Sequence, residues 1–413
     1  MQKLKAILSQ GHGRIQLGET SVFLKQSGIN VRLITGWVPR KISPKLVNFL
    51  GKVVGRPNLY KRIIIRQPKE LSNEEVISSS LPEFTFWFLI LLSRFKFISE
   101  DNALTFGWLF LGWRSKKYIK DAEIFHVRSG AGQGGAIQIA KKLKMKIIVD
   151  HSIAHPVSMK NYLLKEYDKF NKKYDLDPST KFWTLVQKDC EEADYIVVNS
   201  DFVKQTFLEN GFENEKIKVI YFGVRKDFIG IKKDWRIKLG EPTKLLFIGN
   251  FGFRKGARVL IDAIKILNSR NLNVQLDILG IVDEMGRIDI PSNINFRGIF
   301  LYDELKNFLK TRDIYVFPTF AEGSSRAAME AMASGIPVVT TYNCGVPITH
   351  NLNGIIVPID DSTTLANEIE RLMLNESLRQ TIGLNASNLI RDSYTWEIYR
   401  KNIVEFYREI IAN

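Results

Sequence analysis

From Asp313 to Thr341 the order of residues leaves room for one local architecture: strand, tight turn, helix, strand. Asp313-Ile314-Tyr315-Val316-Phe317 is a β-branched and aromatic run that Pro318 closes. Glu322-Gly323-Ser324-Ser325 is a turn of small residues, and Arg326–Ala333 is a helix-forming run. Gly335-Ile336-Pro337 ends that helix, and Val338–Thr341 starts the next strand. A small-residue turn that opens a helix presents unpaired N–H groups and the positive end of the helix dipole. Gly323, Ser324 and Ser325 are therefore expected to cradle phosphate. Glu322 and Glu330 stand eight positions apart, roughly 12 Å if the rise is helical throughout. One carboxylate then reaches ribose hydroxyls while the other meets a sugar across a diphosphate, which points to a nucleotide-sugar site.

The same alternation runs through most of the chain. Lys5–Ser9, Val31–Thr35, Ile124–Val127, Lys146–Asp150, Tyr195–Ser200 and Lys216–Tyr221 read as strands. Helical runs such as Gly135–Lys144 and Asp201–Asn210 separate them. A second set starts at Lys244–Gly249 and continues through Val274–Gly280, Ile294–Phe296, Ile314–Phe317 and Val338–Thr341. Strands interleaved with helices form parallel α/β sheets, and 413 residues exceed one core. The reading is α/β with two Rossmann-like domains, residues 1–222 and 223–394, joined by the charged, glycine-containing hinge Gly223–Glu241.

These motifs resemble the Glu-x7-Glu signature of the family-4 retaining glycosyltransferases. Gly323-Ser324-Ser325 matches the version in which Gly-Ser-Ser follows the first glutamate. Glu191–Ser200 (EEADYIVVNS) and Lys216–Val224 (KIKVIYFGV) are similar to two further family segments, so the specific resemblance covers roughly residues 120–400. It implies the GT-B fold, two Rossmann-like domains facing each other across a cleft, with the last helix, residues 395–411, returning to the first domain. It also implies that Glu330 binds the donor ribose and that Glu322 lies at the reaction centre.

Three more loops join the candidate site. Gly249–Gly256 (GNFGFRKG) follows a strand and precedes the helix Ala257–Asn268. The cations Arg254 and Lys255 beside a glycine turn suit a departing diphosphate. In the family an Arg and a Lys occupy this loop; Lys255 matches the Lys, while Asn250 stands at the commoner Arg position. Gly11-His12-Gly13-Arg14 resembles the family's glycine loop, and Gly13 is taken as a diphosphate contact. Asp150–Pro156 (DHSIAHP) ends a first-domain strand, where open α/β sheets bind ligands. Both His151 and His155 are candidates for the histidine that meets the donor sugar, and the sequence leaves the choice open. No Asp-x-Asp or zinc spacing stands out, so no metal is expected; the resemblance implies a nucleotide-sugar substrate, such as a UDP- or GDP-sugar, and no other cofactor.

Charge narrows the partners. Residues 1–120 hold 20 Lys/Arg against 7 Asp/Glu, whereas the rest of the chain is near neutral. Lys45–Arg56 is amphipathic, with Leu46, Phe49, Leu50 and Val53 on one face and Lys45, Asn48, Lys52 and Arg56 on another. Phe84–Leu92 is strongly apolar and is followed by Arg94 and Lys96. Each stretch either covers the core or lies in a lipid interface; the concentrated positive charge favours contact with an anionic membrane surface. The expected acceptor is a saccharide or lipid-linked saccharide of cell-envelope or exopolysaccharide assembly. Two distant cysteines, Cys190 and Cys344, and an N-terminus without a long apolar core point to the cytoplasm, with peripheral placement on the inner face of the cell membrane. A nucleotide-sugar epimerase of the same architecture is the alternative enzyme. No nucleic-acid motif supports a DNA- or RNA-binding role.

Overall fold

The computed structural model describes residues 4–12, 16–53, 59–172, 174, 177–283 and 289–412. The first sheet contains β1 (Lys5–Ser9), β2 (Asn30–Thr35), β3 (Val76–Ser78), β4 (Ile124–Arg128), β5 (Lys146–His151), β6 (Tyr195–Val198) and β7 (Ile217–Val219), in the order β3-β2-β1-β4-β5-β6-β7. The second contains β8 (Thr243–Ile248), β9 (Val274–Leu279), β10 (Ile294–Gly298), β11 (Ile314–Phe317), β12 (Val338–Thr341) and β13 (Ile355–Val357), in the order β10-β9-β8-β11-β12-β13. Every ladder is parallel. Helices cover both faces, which is why β11 and β12 are buried at every position and read as unbroken apolar or Thr-containing runs. β3 and β13 are strands that local pattern did not announce. At three residues each they are too short to carry a period.

The linker differs from a free hinge. Val224 donates its N–H to Tyr394 O at 2.8 Å, so the outgoing and returning chains cross side by side. Beyond that point the segment is docked: Gly230 and Lys232 donate to Ala333 O and Ser334 O, and the buried Trp235 indole donates to Gly335 O at 2.9 Å. Burying a tryptophan with its N–H paired holds this stretch to the second sheet's helices. The helix Trp396–Ala412 lies on the first sheet. Its Tyr399 hydroxyl pairs with Thr20 at 2.6 Å and its Tyr407 hydroxyl with His126 at 2.7 Å, among Leu8, Leu33 and Ile148.

Strand order reverses between β1 and β4 in one sheet and between β8 and β11 in the other. Such reversals open a crevice at the carboxyl ends of the strands. At β8 and β11 the crevice is flanked by residues 249–256 and 318–325, which brings two separately recognised loops into contact.

Candidate active site

The loops after β8 and β11 are stitched together by backbone. Phe320 N–H and the Thr319 hydroxyl both donate to Arg254 O, at 2.9 and 3.0 Å. Their approach requires glycine at 256: its φ is +74°, and a Cβ there would lie 1.9 Å from Pro318 O. Phe253–Lys255 forms a single 3₁₀ turn, and the helix Ala257–Ser269 follows Gly256.

This junction places Arg254, Lys255 and Glu322 in one cluster. Arg254 Nη1 donates to Glu322 Oε1 at 2.7 Å and to Ala321 O at 2.7 Å, and Lys255 Nζ stands 3.3 Å from the same Oε1. Lys255 also lies 5.3 Å over the Phe317 ring. Two cations and one carboxylate leave the cluster net positive, as an anion site requires. Glu322 is held from the backbone too, its N–H donating to Asn343 O at 3.0 Å.

Ser325 is the N-cap of the helix Arg326–Ser334, its hydroxyl accepting from Ala328 N–H at 3.4 Å. Because the helix begins at Arg326, the separation of Glu322 and Glu330 combines a turn with a short helical rise. The uniform helical spacing expected from the sequence does not apply. Ser324 is half-buried in that turn. Glu330 is half-buried, and burial pushes its carboxyl up to about 7 against the pull of Arg326 and Arg225. Beside it lies a set that sequence reasoning missed. The Arg225 guanidinium sits 3.9 Å from the centre of the Tyr302 ring, and the Tyr302 hydroxyl donates to Asp227 at 2.6 Å. These residues come from the linker and from the helix after β10, and no spacing announces them.

The first sheet's loops meet this cluster at the Gly323 backbone. A Cβ at Gly323 would lie 1.9 Å from Ser152 O, and Ser200 Oγ donates to Gly323 O at 2.5 Å. Ser152 sits between β5 and His155, but the two histidines turn away. His151 is buried, 2.9 Å from Ser129 Oγ and edge-on to Phe207 at 5.0 Å; burial pushes its imidazole down to about 3. His155 is the N-cap of the helix Pro156–Asp168, accepting from Val157 N–H at 3.4 Å, with its ring against Phe207 and Phe212. Burial lowers it to about 4. Both imidazoles line one small pocket with Val186, Gln187 and Cys190, and neither makes a hydrogen bond or ring contact with Glu322, Arg254 or Lys255.

Gly13 lies outside the described residues. Gln16 Oε1, at the start of the helix Leu17–Gln26, accepts from Arg326 Nη2 at 3.3 Å, which ties that helix start to the helix that carries Glu330. The neighbouring loop after β4, Gly130-Ala131-Gly132-Gln133-Gly134-Gly135, has the spacing of a dinucleotide-binding turn but is already filled. Asp189 accepts from Gly130 N–H and Gly132 N–H at 2.7 and 2.8 Å and from the Gln133 amide at 2.8 Å, an internal carboxylate where an anion would sit. Among the described residues no group of three or more His, Cys, Asp or Glu side chains is arranged to hold a metal ion.

Comparison with known proteins agrees with this architecture. A family model described as "Glycosyl transferases group 1" matches residues 242–375, and one described as "Glycosyltransferase Family 4" matches residues 86–228. The capsular polysaccharide biosynthesis glycosyltransferase CapM of Staphylococcus aureus is 26% identical over 236 residues, 53% of this chain and 62% of that protein. The chain thus spans about six-tenths of the length of the first curated relatives it matches. Among solved structures, sucrose-phosphate synthase from Thermosynechococcus elongatus superposes with a TM-score of 0.65 at 16% identity, covering 99% of this chain and all of that one. HepE of Anabaena, solved in complex with UDP, gives 0.60 at 14% identity, covering 98% of this chain and all of that one. At such identities the likeness is one of fold, the two-sheet GT-B arrangement. With both family models matched in chain order on the two sheets, the chain belongs to the group 1, family 4 type of glycosyltransferases.

Proposed function

We propose that this protein transfers a sugar from a nucleotide-sugar donor to a saccharide or lipid-linked saccharide acceptor, with retention at the anomeric carbon and without a divalent metal. The observation that carries the reading is the joint placement of Arg254, Lys255 and Glu322 where the strand order reverses. In this reading the donor diphosphate lies against Arg254 and Lys255 and the turn Gly323–Ser325, while Glu330 accepts from the ribose hydroxyls. The bond from the anomeric carbon to the phosphate oxygen breaks as the acceptor oxygen attacks the same face. The acceptor proton passes to the leaving phosphate oxygen, and the two cations stabilise the charge that accumulates there. Glu322 aligns the cations and faces the reacting sugar.

A capsule or exopolysaccharide setting is supported by the name of the CapM relative, and a uridine donor by the UDP complex of HepE. The acceptor side is supported by surface chemistry. Leu46, Phe49 and Leu50 are 52%, 62% and 47% exposed on the helix Pro44–Val53, while Val47 is buried in a small cluster with Trp37, Leu59 and Ile63. Leu81, Phe84, Phe88 and Leu91 form a second exposed stripe along Ser80–Arg94. Nine Lys/Arg and no Asp/Glu lie between Gly36 and Lys69. No helix of the described residues is long and apolar enough to cross a membrane. Exposed apolar stripes in a basic field suit an anionic leaflet, and the proposed location is peripheral, on the cytoplasmic face of the cell membrane.

The decisive experiment presents UDP- and GDP-sugars with and without a lipid-linked acceptor and measures nucleoside diphosphate release. The anomeric proton coupling of the product is read by NMR. Acceptor-stimulated release with a retained anomer in EDTA is the expected result. An inverted product, or release that requires added metal, overturns the mechanism.

A further inference from the structure

We infer that the helix Pro156–Asp168 is a strut that sets the position of the diphosphate-facing turn, with Glu166 as its positioning residue. The inference rests on the donor site proposed above.

One end of this helix is anchored in the first unit. His155 caps it, and the His155 N–H donates to Thr206 Oγ1 at 3.0 Å. Asn210 Nδ2 donates to Ser158 Oγ at 2.8 Å, and Met159 and Leu163 are fully buried. Thirteen residues carry the helix about 20 Å from that anchor. The sequence read His155 as a candidate for the reaction centre; its observed place is the fixed end of this strut.

The far end grips the second unit on both sides of the cation pair. Glu166, whose side chain is fully buried, receives a two-pronged bond from Arg258, with Nε to Oε1 at 2.9 Å and Nη2 to Oε2 at 2.9 Å. Arg258 is steadied further by Asp262 at 3.0 Å and by Asp360, and Lys169 bridges Asp360 at 2.6 Å and Glu166 at 3.4 Å. Ahead of the cations, the Phe253 ring packs against Phe170 at 4.6 Å and Tyr167 at 5.4 Å. Arg254 and Lys255 therefore lie on a stretch of six residues, Phe253 to Arg258, pinned at each end by the same helix and the turn that follows it. A buried carboxylate that meets a guanidinium fork fixes geometry as well as charge, and removing one partner strands the other. Glu166 makes no contact with Arg254 or Lys255, so it acts on them only through the turn.

A double-mutant cycle separates this role from general stabilisation. Affinities for UDP, GDP and ADP are measured by calorimetry, and the tightest is followed in the variants. Arg254→Ala/Lys255→Ala should weaken it by about tenfold or more, and Glu166→Gln by about three- to tenfold. Glu166→Asp should recover most of the loss. Added to the Arg254→Ala/Lys255→Ala background, Glu166→Gln should change nothing further. Losses that multiply across the two backgrounds overturn the strut. A double alanine variant with unchanged affinity overturns the donor assignment instead. Hydrogen exchange reads the strut independently of any ligand: Glu166→Gln, and separately Phe170→Leu, should speed exchange in residues 251–258 while residues 274–279 keep the wild-type rate. A uniform rise in both segments, or no rise in 251–258, refutes the inference.

Discussion

Arg254 donates to Glu322 over 2.7 Å, joining two residues 68 positions apart in sequence. The carboxylate nearest the proposed reaction centre thus partly neutralises the cation proposed to face the diphosphate. Glu322→Gln should free the cations, leaving nucleoside diphosphate affinity equal or tighter while turnover falls by about a hundredfold or more. Equal losses in affinity and turnover would reduce Glu322 to a turn residue.

Lys255→Ala should cost about 2–4 kcal/mol of transition-state stabilisation if the ammonium meets the leaving phosphate. Arg254→Ala should cost less, because Glu322 holds Arg254 in a direct 2.7 Å bond and stands farther, 3.3 Å, from Lys255. Steady-state kinetics on the two single variants and their combination check both; near-normal turnover in the combined variant removes the phosphate role.

Glu330 gives a pH test with a defined sign. Burial raises its carboxyl from an ordinary 4.5 to about 7. The side chain is neutral below that point and gains its full acceptor capacity above it. Nucleoside diphosphate affinity should therefore strengthen as pH rises through about 7, and Glu330→Gln should lose that component. The same shift means that folding stability falls as pH rises from the unfolded-state value, with the loss complete above about 7. The glutamine variant should therefore have a flatter dependence of Tm on pH. Identical affinity and Tm profiles in wild type and variant would contradict the assignment.

Gly323→Ala should separate the two units where they touch. The added methyl would fall 1.9 Å from Ser152 O, a backbone atom that cannot swing aside. Small-angle scattering should show an enlarged radius of gyration, and turnover should drop by at least about tenfold. A variant as compact and active as wild type would show that this approach is dispensable.

Lys45→Gln/Lys52→Gln should weaken cosedimentation with anionic vesicles and its sensitivity to salt, since exposed charges are screened over about 8 Å at physiological ionic strength. Phe49→Ser should weaken binding at all salt concentrations. Hydrolysis of soluble donor should be unchanged in both. Failure of the wild type to bind phosphatidylserine vesicles at low salt would remove the membrane reading.

Local chemistry in the sequence fixes most of the elements and the family, the three-residue strands β3 and β13 excepted. The run from Asp313 to Thr341 folds as strand, turn, helix and strand because propensity, capping and glycine placement act within a few residues. The same kind of local signal marks Glu322 and the Arg254-Lys255 turn, each at a strand-turn-helix junction. Tertiary structure alone decided that these two loops meet. Their contact depends on β8 and β11 lying side by side, and strand order is settled by packing over the whole sheet. It likewise turned His151 and His155 inward onto Phe207, filled the glycine loop after β4 with Asp189, and left Phe49 outside where an amphipathic pattern could equally have covered the core. A periodic pattern marks an apolar face; only the other elements of the fold determine whether protein or solvent lies against it.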